Sequence, residues 1–400
     1  MNLLGMDILT RNLMRKAYNG HHEEDPGLDK MSRLTPMEFL RRHWKAVAIF
    51  YVVEGIITSL LFLWLYGLSS VVGTVEYEGS SVAMFTLGVL AYTFGLRHAV
   101  DPDHLAAIDN STRKLVQEGK DARFTGLFFS LGHSTVVILM SVALMVSARA
   151  VLSALPELQN IGGMIGTLVS GGFLYVIGLL NFLVFFEIYE IYKKLRQGSM
   201  DEARLNELLM KRGFMGRYFG KLFRIVDKQW YLYPLGFLFG LGFDTASEVA
   251  LLAISAIAAA STSISLVHLL VFPFLFAAGM TLFDTTDGFY MNAAYSWAFD
   301  NPFRKIWYNL TMTIISVMVA WLVGTLELLG LVQSEFNLSG PFWDWVASVT
   351  GDVWWGSIGY IIIGVFAVTW AVSFALYKFK FSKHEAKISR QISDQNFKKE

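Results

Sequence analysis

The stretch Arg97-His98-Ala99-Val100-Asp101-Pro102-Asp103-His104-Leu105-Ala106-Ala107-Ile108-Asp109-Asn110 follows directly on the apolar run 82–96. That run reads as membrane-spanning, so the stretch sets one arginine, two histidines and several carboxylates at membrane depth. Ionisable groups there are costly, which makes the cluster a functional site by default. On an ideal helix, turning about 100° per residue, His98, Asp101 and His104 share one side and Asp103 falls almost opposite Asp101. An unbroken helix therefore cannot aim His98, Asp103 and His104 at one point. Pro102 lacks a backbone donor and clashes with the carbonyl of His98, which predicts a kink or an unwound turn at this place. Imidazole with carboxylate suits borderline divalent cations such as nickel, cobalt and zinc.

Composition supports a membrane setting. Hydrophobic residues make up 54% of the chain and charged residues 16%, against about 25% charged in a soluble domain. The 33 basic and 33 acidic residues balance, which gives no ground for a nucleic-acid partner. The absence of cysteine excludes disulfides, thiolate metal sites and cysteine nucleophiles. Residues 1–15 are basic and amphipathic without an uninterrupted apolar core, so no signal peptide is expected.

Eight apolar segments, near 46–68, 82–109, 125–148, 164–192, 230–259, 264–297, 306–331 and 353–378, each approach the ~20 residues a bilayer crossing needs. The expected fold is an all-α, polytopic transmembrane bundle in the cell membrane. It divides into a tail (1–44), a first membrane half (45–192), a loop (193–229), a second membrane half (230–378) and a tail (379–400). The second, fourth, fifth and sixth segments are long, which predicts tilt or breaks. Loops alternate in charge. Glu76 and Glu78 follow the first segment; Arg113, Lys114, Lys120 and Arg123 follow the second; the fourth loop is rich in Lys and Arg, and Arg304 and Lys305 mark the sixth. Positive-inside reasoning places both termini in the cytoplasm. The segment 201–211 is expected as an amphipathic helix, and Trp354 and Trp355 as an interfacial belt. His21 and His22 beside Glu23 and Glu24 read as a solvated tail in preference to a metal-catching patch. Phe94-Gly95-Leu96 and Phe239-Gly240-Leu241 hint at an inverted repeat, the arrangement in which transporters place sites on broken helices.

Three further clusters carry polar chemistry in the spans: Ser130-Leu131-Gly132-His133-Ser134, then Asp244 with Glu248 at i, i+4, then Asp284 with Asp287 at i, i+3. Each carboxylate pair shares a helix face. Against six intramembrane acids (Asp101, Asp103, Asp244, Glu248, Asp284, Asp287) stands one base, Arg97. Buried carboxylates in such excess must be protonated, hydrated or balanced by bound cations. With His98, His104 and His133 alongside, the reading is a transition-metal pathway. The expected metal ligands are His98, Asp103, His104, Asp101, His133, Asp244 and Glu248, with Asp284, Asp287 and Arg97 along the path. Asp109 and Asn110, near Arg113 and Lys114, read as an interfacial cap and anchor, His268 as structural, and Met280 as a gap-filler.

At these residues the sequence resembles the nickel/cobalt transporter family of secondary metal permeases. His98, Asp103 and His104 match its His-x4-Asp-His signature. Leu131-Gly132-His133-Ser134, Leu241-Gly242-Phe243-Asp244-Thr245-Ala246-Ser247-Glu248 and Gly279-Met280-Thr281-Leu282-Phe283-Asp284-Thr285-Thr286-Asp287-Gly288 match three further motifs in order. The resemblance covers about 45–378 and implies an eight-helix importer of Ni²⁺ or Co²⁺, with the His-x4-Asp-His residues essential. It departs at Pro102, where the family more often has alanine. The metal is then substrate, and no cofactor is expected. No Gly-x4-Gly-Lys-Ser/Thr motif occurs, so neither ATP hydrolysis nor an ATPase partner is implied. An intramembrane zinc metallohydrolase is the alternative, although no His-Glu-x-x-His is present to supply its base; a metal sensor with the loop as output ranks lowest.

Overall fold

A computed structural model of the chain describes residues 36–77, 80–146, 148–196, 226–242, 246–261, 265–299 and 302–376. The tail with His21 and His22, the segment 201–211, Asp244 and the tail 379–400 lie outside the described residues. Helix α1 (Pro36–Val72) is followed by a hairpin of β1 (Thr74–Tyr77) and β2 (Ser80–Ala83), then by α2 (Met84–His98), α3 (Pro102–Gln117), α4 (Thr125–Val146) and α5 (Ala148–Arg196). After a 3₁₀ turn at Gln229–Tyr231 come α6 (Leu232–Phe239), α7 (Ala246–Ser261), α8 (Leu266–Leu269), α9 (Val271–Phe299), α10 (Pro302–Glu335), α11 (Pro341–Thr350) and α12 (Asp352–Leu376). The segments His43–Val72, Thr125–Val146, Ile161–Glu190, Leu266–Ser296, Leu310–Glu335 and Trp354–Ser373 are long and apolar enough to cross a membrane. The chain is a multi-pass, predominantly helical membrane protein, with one short hairpin among the described residues.

The second expected segment is two helices. α2 stops at His98 and α3 starts at Pro102, which takes the first helical position, where its missing donor costs nothing. Asp101, extended at φ −61° and ψ 141°, precedes it. The amides of Val100 and Asp101 tighten onto the carbonyls of Arg97 and His98 at 3.0 and 2.9 Å, so the interrupted backbone keeps its donors paired. The fifth segment breaks too, between α6 and α7, beside Gly240 and Gly242. The sixth is interrupted at Leu270, because Pro273 in the first turn of α9 cannot bond back to Leu269. The hairpin was not expected. It pairs Thr74 with Ala83 and Tyr77 with Ser80, and Gly73, at φ +69°, turns the chain out of α1 into it.

Glycines bring helices into backbone contact at several seams, among them α2 with α9 and α4 with α6. A Cβ on Gly95 of α2 would run into the carbonyl of Phe276 on α9, and one on Gly279 of α9 into that of Tyr92. Likewise a Cβ on Gly236 of α6 would meet the carbonyl of Phe129 on α4, and one on Gly132 that of Tyr233. Without a hydrophobic force between helices in lipid, such close approach is what packs them. Apolar clusters fill the rest, one around Leu65, Leu87, Leu275 and Phe276, another around Phe129, Leu174, Leu180 and Val323.

Gly236→Ala should cost about 1–3 kcal/mol by overpacking and lower the melting temperature of the detergent-solubilised protein. Gly55→Ala, which meets nothing within 4 Å, should leave it unchanged or raise it.

Candidate metal centre

Three imidazoles converge at the break. His98 closes α2, His104 lies in the first turn of α3, and His133 is carried by α4 beside the small Gly132. All three are buried, and their ring centroids stand 4.7 Å apart in each pairing. One nitrogen of each lies within 4.8 Å of the others. Phe129 packs on the His104 ring at 4.8 Å and Phe276 on the His98 ring at 5.6 Å, so the two phenylalanines at the glycine contacts also wall the cluster.

A carboxylate stands behind each ring. Asp101 Oδ2 is 2.9 Å from His98 Nδ1, Asp284 Oδ2 is 3.3 Å from His104 Nδ1, and Glu248 Oε1 is 2.8 Å from His133 Nε2. Nδ1–H donated to a carboxylate is the usual support for a metal-binding imidazole, and in that tautomer Nε2 of His98 and of His104 can accept a cation. His104 Nε2 and His133 Nδ1 are buried with no hydrogen-bond partner. A buried ring nitrogen without a partner fits a cation held there. His98 Nε2 and His133 Nε2 approach to 2.9 Å, and Glu248 Oε1 lies 3.7 Å from His98 Nε2, so this carboxylate reaches both rings.

The other expected residues fall around this core. Asp103 is half-buried and contributes no atom to the three-imidazole group, where His133 takes the third place; it stays within electrostatic range of His98 and His104. Asp284 keeps a buried Oδ1 and Asp287 a buried Oδ2 without partners, and Asp287 lies within electrostatic range of Asp284 and Asp109. Arg97 donates to Ser247 Oγ at 2.6 Å, next to Glu248, and runs past Gly356 of α12. His268 accepts from Trp64 Nε1 at 3.3 Å, and Met280 is fully buried among apolar side chains.

A family model described as high-affinity nickel-transport protein matches residues 84–376, across all four motifs. The chain belongs to the high-affinity nickel-transport protein family. It is 48% identical over 302 residues to the nickel transporter NixA of Staphylococcus aureus, covering 76% of this chain and 88% of that one. To the nickel transporter NicT of Mycobacterium tuberculosis it is 46% identical over 73% of this chain and 78% of that one. To the cobalt transport protein NhlF of Rhodococcus rhodochrous it is 34% identical over 80% and 90%. No solved structure matches.

In this member of the nickel-transport family the motif extends past the histidines into a polar network that sequence reasoning placed at the interface. That expectation is corrected: Asp109, Asn110 and Arg113 are wholly buried. Arg113 donates to Thr313 Oγ1 at 2.8 Å, Ser316 Oγ at 2.9 Å and the Tyr295 hydroxyl at 3.0 Å, and its guanidinium lies over the Tyr295 ring. Tyr295 in turn donates to Asp109, and Asn181 donates to Asn110 Oδ1 at 2.7 Å. These partners come from α5, α9 and α10, and nothing local in the sequence joins them. Beyond α3 the loop is tied by ion pairs. Lys120 reaches Glu118 and Asp227, and hydrogen bonds from Arg123 hold the Asp121 carboxyl below the usual range. Sequence reading also passed over Glu54, whose only signal was a single acid in an apolar span.

Arg113→Ala should destabilise the protein by about 3–5 kcal/mol, because it leaves Asp109 buried without its cation. Thermal unfolding in detergent measures this, and Arg113→Lys should recover only part of the loss, lacking the planar fork.

Proposed function

We propose that this chain imports a borderline divalent cation, nickel first and cobalt second, as a secondary transporter through the imidazole centre. The observation that carries the reading is the triangle of buried imidazoles, with Asp101 against His98, Asp284 against His104 and Glu248 reaching both His133 and His98. The names of its relatives, nickel transporters and one cobalt transport protein, supply the cargo. Nickel and cobalt take the same ligands, so choice between them rests on geometry.

In this reading His98, His104 and His133 hold the cation, and Asp101, Asp284 and Glu248 orient the rings and offset its charge. Asp103, in the first turn of α3, is an acid the cation passes, and Asp244 is assigned the same part from its place in the sequence. An inverted repeat supports that pairing. The contact of Gly95 with Phe276 and of Gly279 with Tyr92 is repeated by Gly236 with Phe129 and by Gly132 with Tyr233. This register sets Gly95 against Gly236, one turn ahead of the Phe-Gly-Leu match. Asp103 and Asp244 then correspond, each eight residues beyond its glycine. Six long spans with two broken ones, α2–α3 and α6–α7, make the eight crossings, and the loop charges set both termini in the cytoplasm. Asp284 and Asp287 continue the path from His104, as partly unpartnered acids on α9.

Radiolabelled nickel uptake tests the site. His98→Ala should abolish accumulation with expression and membrane insertion unchanged; uptake retained in that variant removes the assignment. Cobalt should compete with labelled nickel better than manganese, the weaker binder of nitrogen ligands.

A further inference from the structure

Glu54 is the single acid in the span His43–Val72, and the metal centre does not use it. From Trp44 to Leu63 the face of α1 is open, and the buried positions are Phe50 and Glu54 alone. A helix laid against lipid thus turns a carboxyl into its seam. Its hydrogen bond is a long one from Thr58 Oγ1, at 3.5 Å, and no described base pairs with it.

Contacts fix its depth. α1 packs mainly on α9 and more lightly on α2. Tyr51 bonds Thr286 at 2.9 Å, Phe62 packs on Tyr92 at 5.5 Å, and Tyr92 lies against Gly279. Glu54, between these levels and within electrostatic range of Tyr92, is therefore opposite the turn of α9 that carries Asp284. The titratable group facing it from α2 is Tyr92. The α9 carboxylates turn elsewhere, Asp284 to His104 and Asp287 toward Asp109 on α3. On α1 itself the neighbours are Thr58 and Tyr51, with Lys45 and His43 at the end of the span.

A salt bridge needs a countercharge and packing needs no carboxyl. An intramembrane acid with neither justification is the arrangement that carries protons in pumps and transporters. We propose that Glu54 is a proton-binding site on the far side of α9 from the imidazole centre, gaining and losing one proton in each transport cycle. Water on the open side donates the proton and water on the other side accepts it, while α9, which holds both Glu54's seam and Asp284, links that exchange to the metal. The inference rests on the transport reading above.

The test uses the full chain in proteoliposomes, with membrane potential clamped, labelled Ni²⁺ outside and a pH dye inside. Wild-type uptake should respond to an imposed pH gradient, with a proton signal accompanying nickel. Glu54→Gln should bind nickel in detergent as the wild type does, yet lose both the gradient response and the proton signal. Glu54→Asp should keep the response with a shifted midpoint. A Glu54→Gln protein with the wild-type response, or wild-type uptake indifferent to the gradient, overturns the proposal. Should Glu54→Gln not be recovered, an unmoved midpoint in Glu54→Asp overturns it equally. Wild-type protein that takes up no nickel at all defeats the transport reading instead.

Discussion

Backbone that leaves its helix inside a membrane must be sheltered by protein, because lipid offers its amides and carbonyls nothing. The turn between α2 and α3 meets that constraint. Ala99, Val100 and Asp101 are buried, their amides bond back to the preceding turn, and Gly359 of α12 lies directly against the Val100 carbonyl. Once the turn is sheltered, the rest follows. The chain changes direction between two histidines, so both rings reach a third on α4. A helix running through Pro102 would have kept them on one side but set them about 9 Å apart along its axis.

The same burial governs the charges. Carboxylates taken out of water are tolerable when each has a donor aimed at it, and in this fold the donors are imidazole N–H groups and a tyrosine hydroxyl. Asp101, Asp284 and Glu248 each meet a histidine. Asp109 meets Tyr295, which is fixed by Arg113. The two networks sit on the same helix, α3, one at each end. The helix that begins at the imidazole cluster is thus clamped further along among α5, α9 and α10.

What the sequence disclosed depended on the range of the interaction concerned. Apolar runs and the proline are local features, and they announced the spans and the break between His98 and Pro102. Glu248 and Asp284 were legible as acids out of place. Which acid backs which ring was not, because His104 and Asp284 are 180 positions apart. That His133 joins His98 and His104 in one cluster is a tertiary event, set by how closely α4 approaches α2 and α3. Arg113 misled for a similar reason. Beside Lys114 and near the end of an apolar run it has the pattern of an interfacial anchor, and only its partners on α9 and α10 reveal an interior residue. The hairpin at Thr74–Ala83 and the helix at Pro341–Thr350 formed in stretches too short for periodicity to speak.

Two helices whose backbones touch at paired glycines behave mechanically as one piece. A slide of a single residue would drive a side chain into the neighbouring carbonyl, so α2 with α9, and α4 with α6, resist shear along their own seams. α4 and α9 meet in the same way, Gly126 lying against the Asp284 carbonyl, so the two couples are themselves joined. The helices that carry His98 and His133 are thereby held in register with the one that carries Asp284.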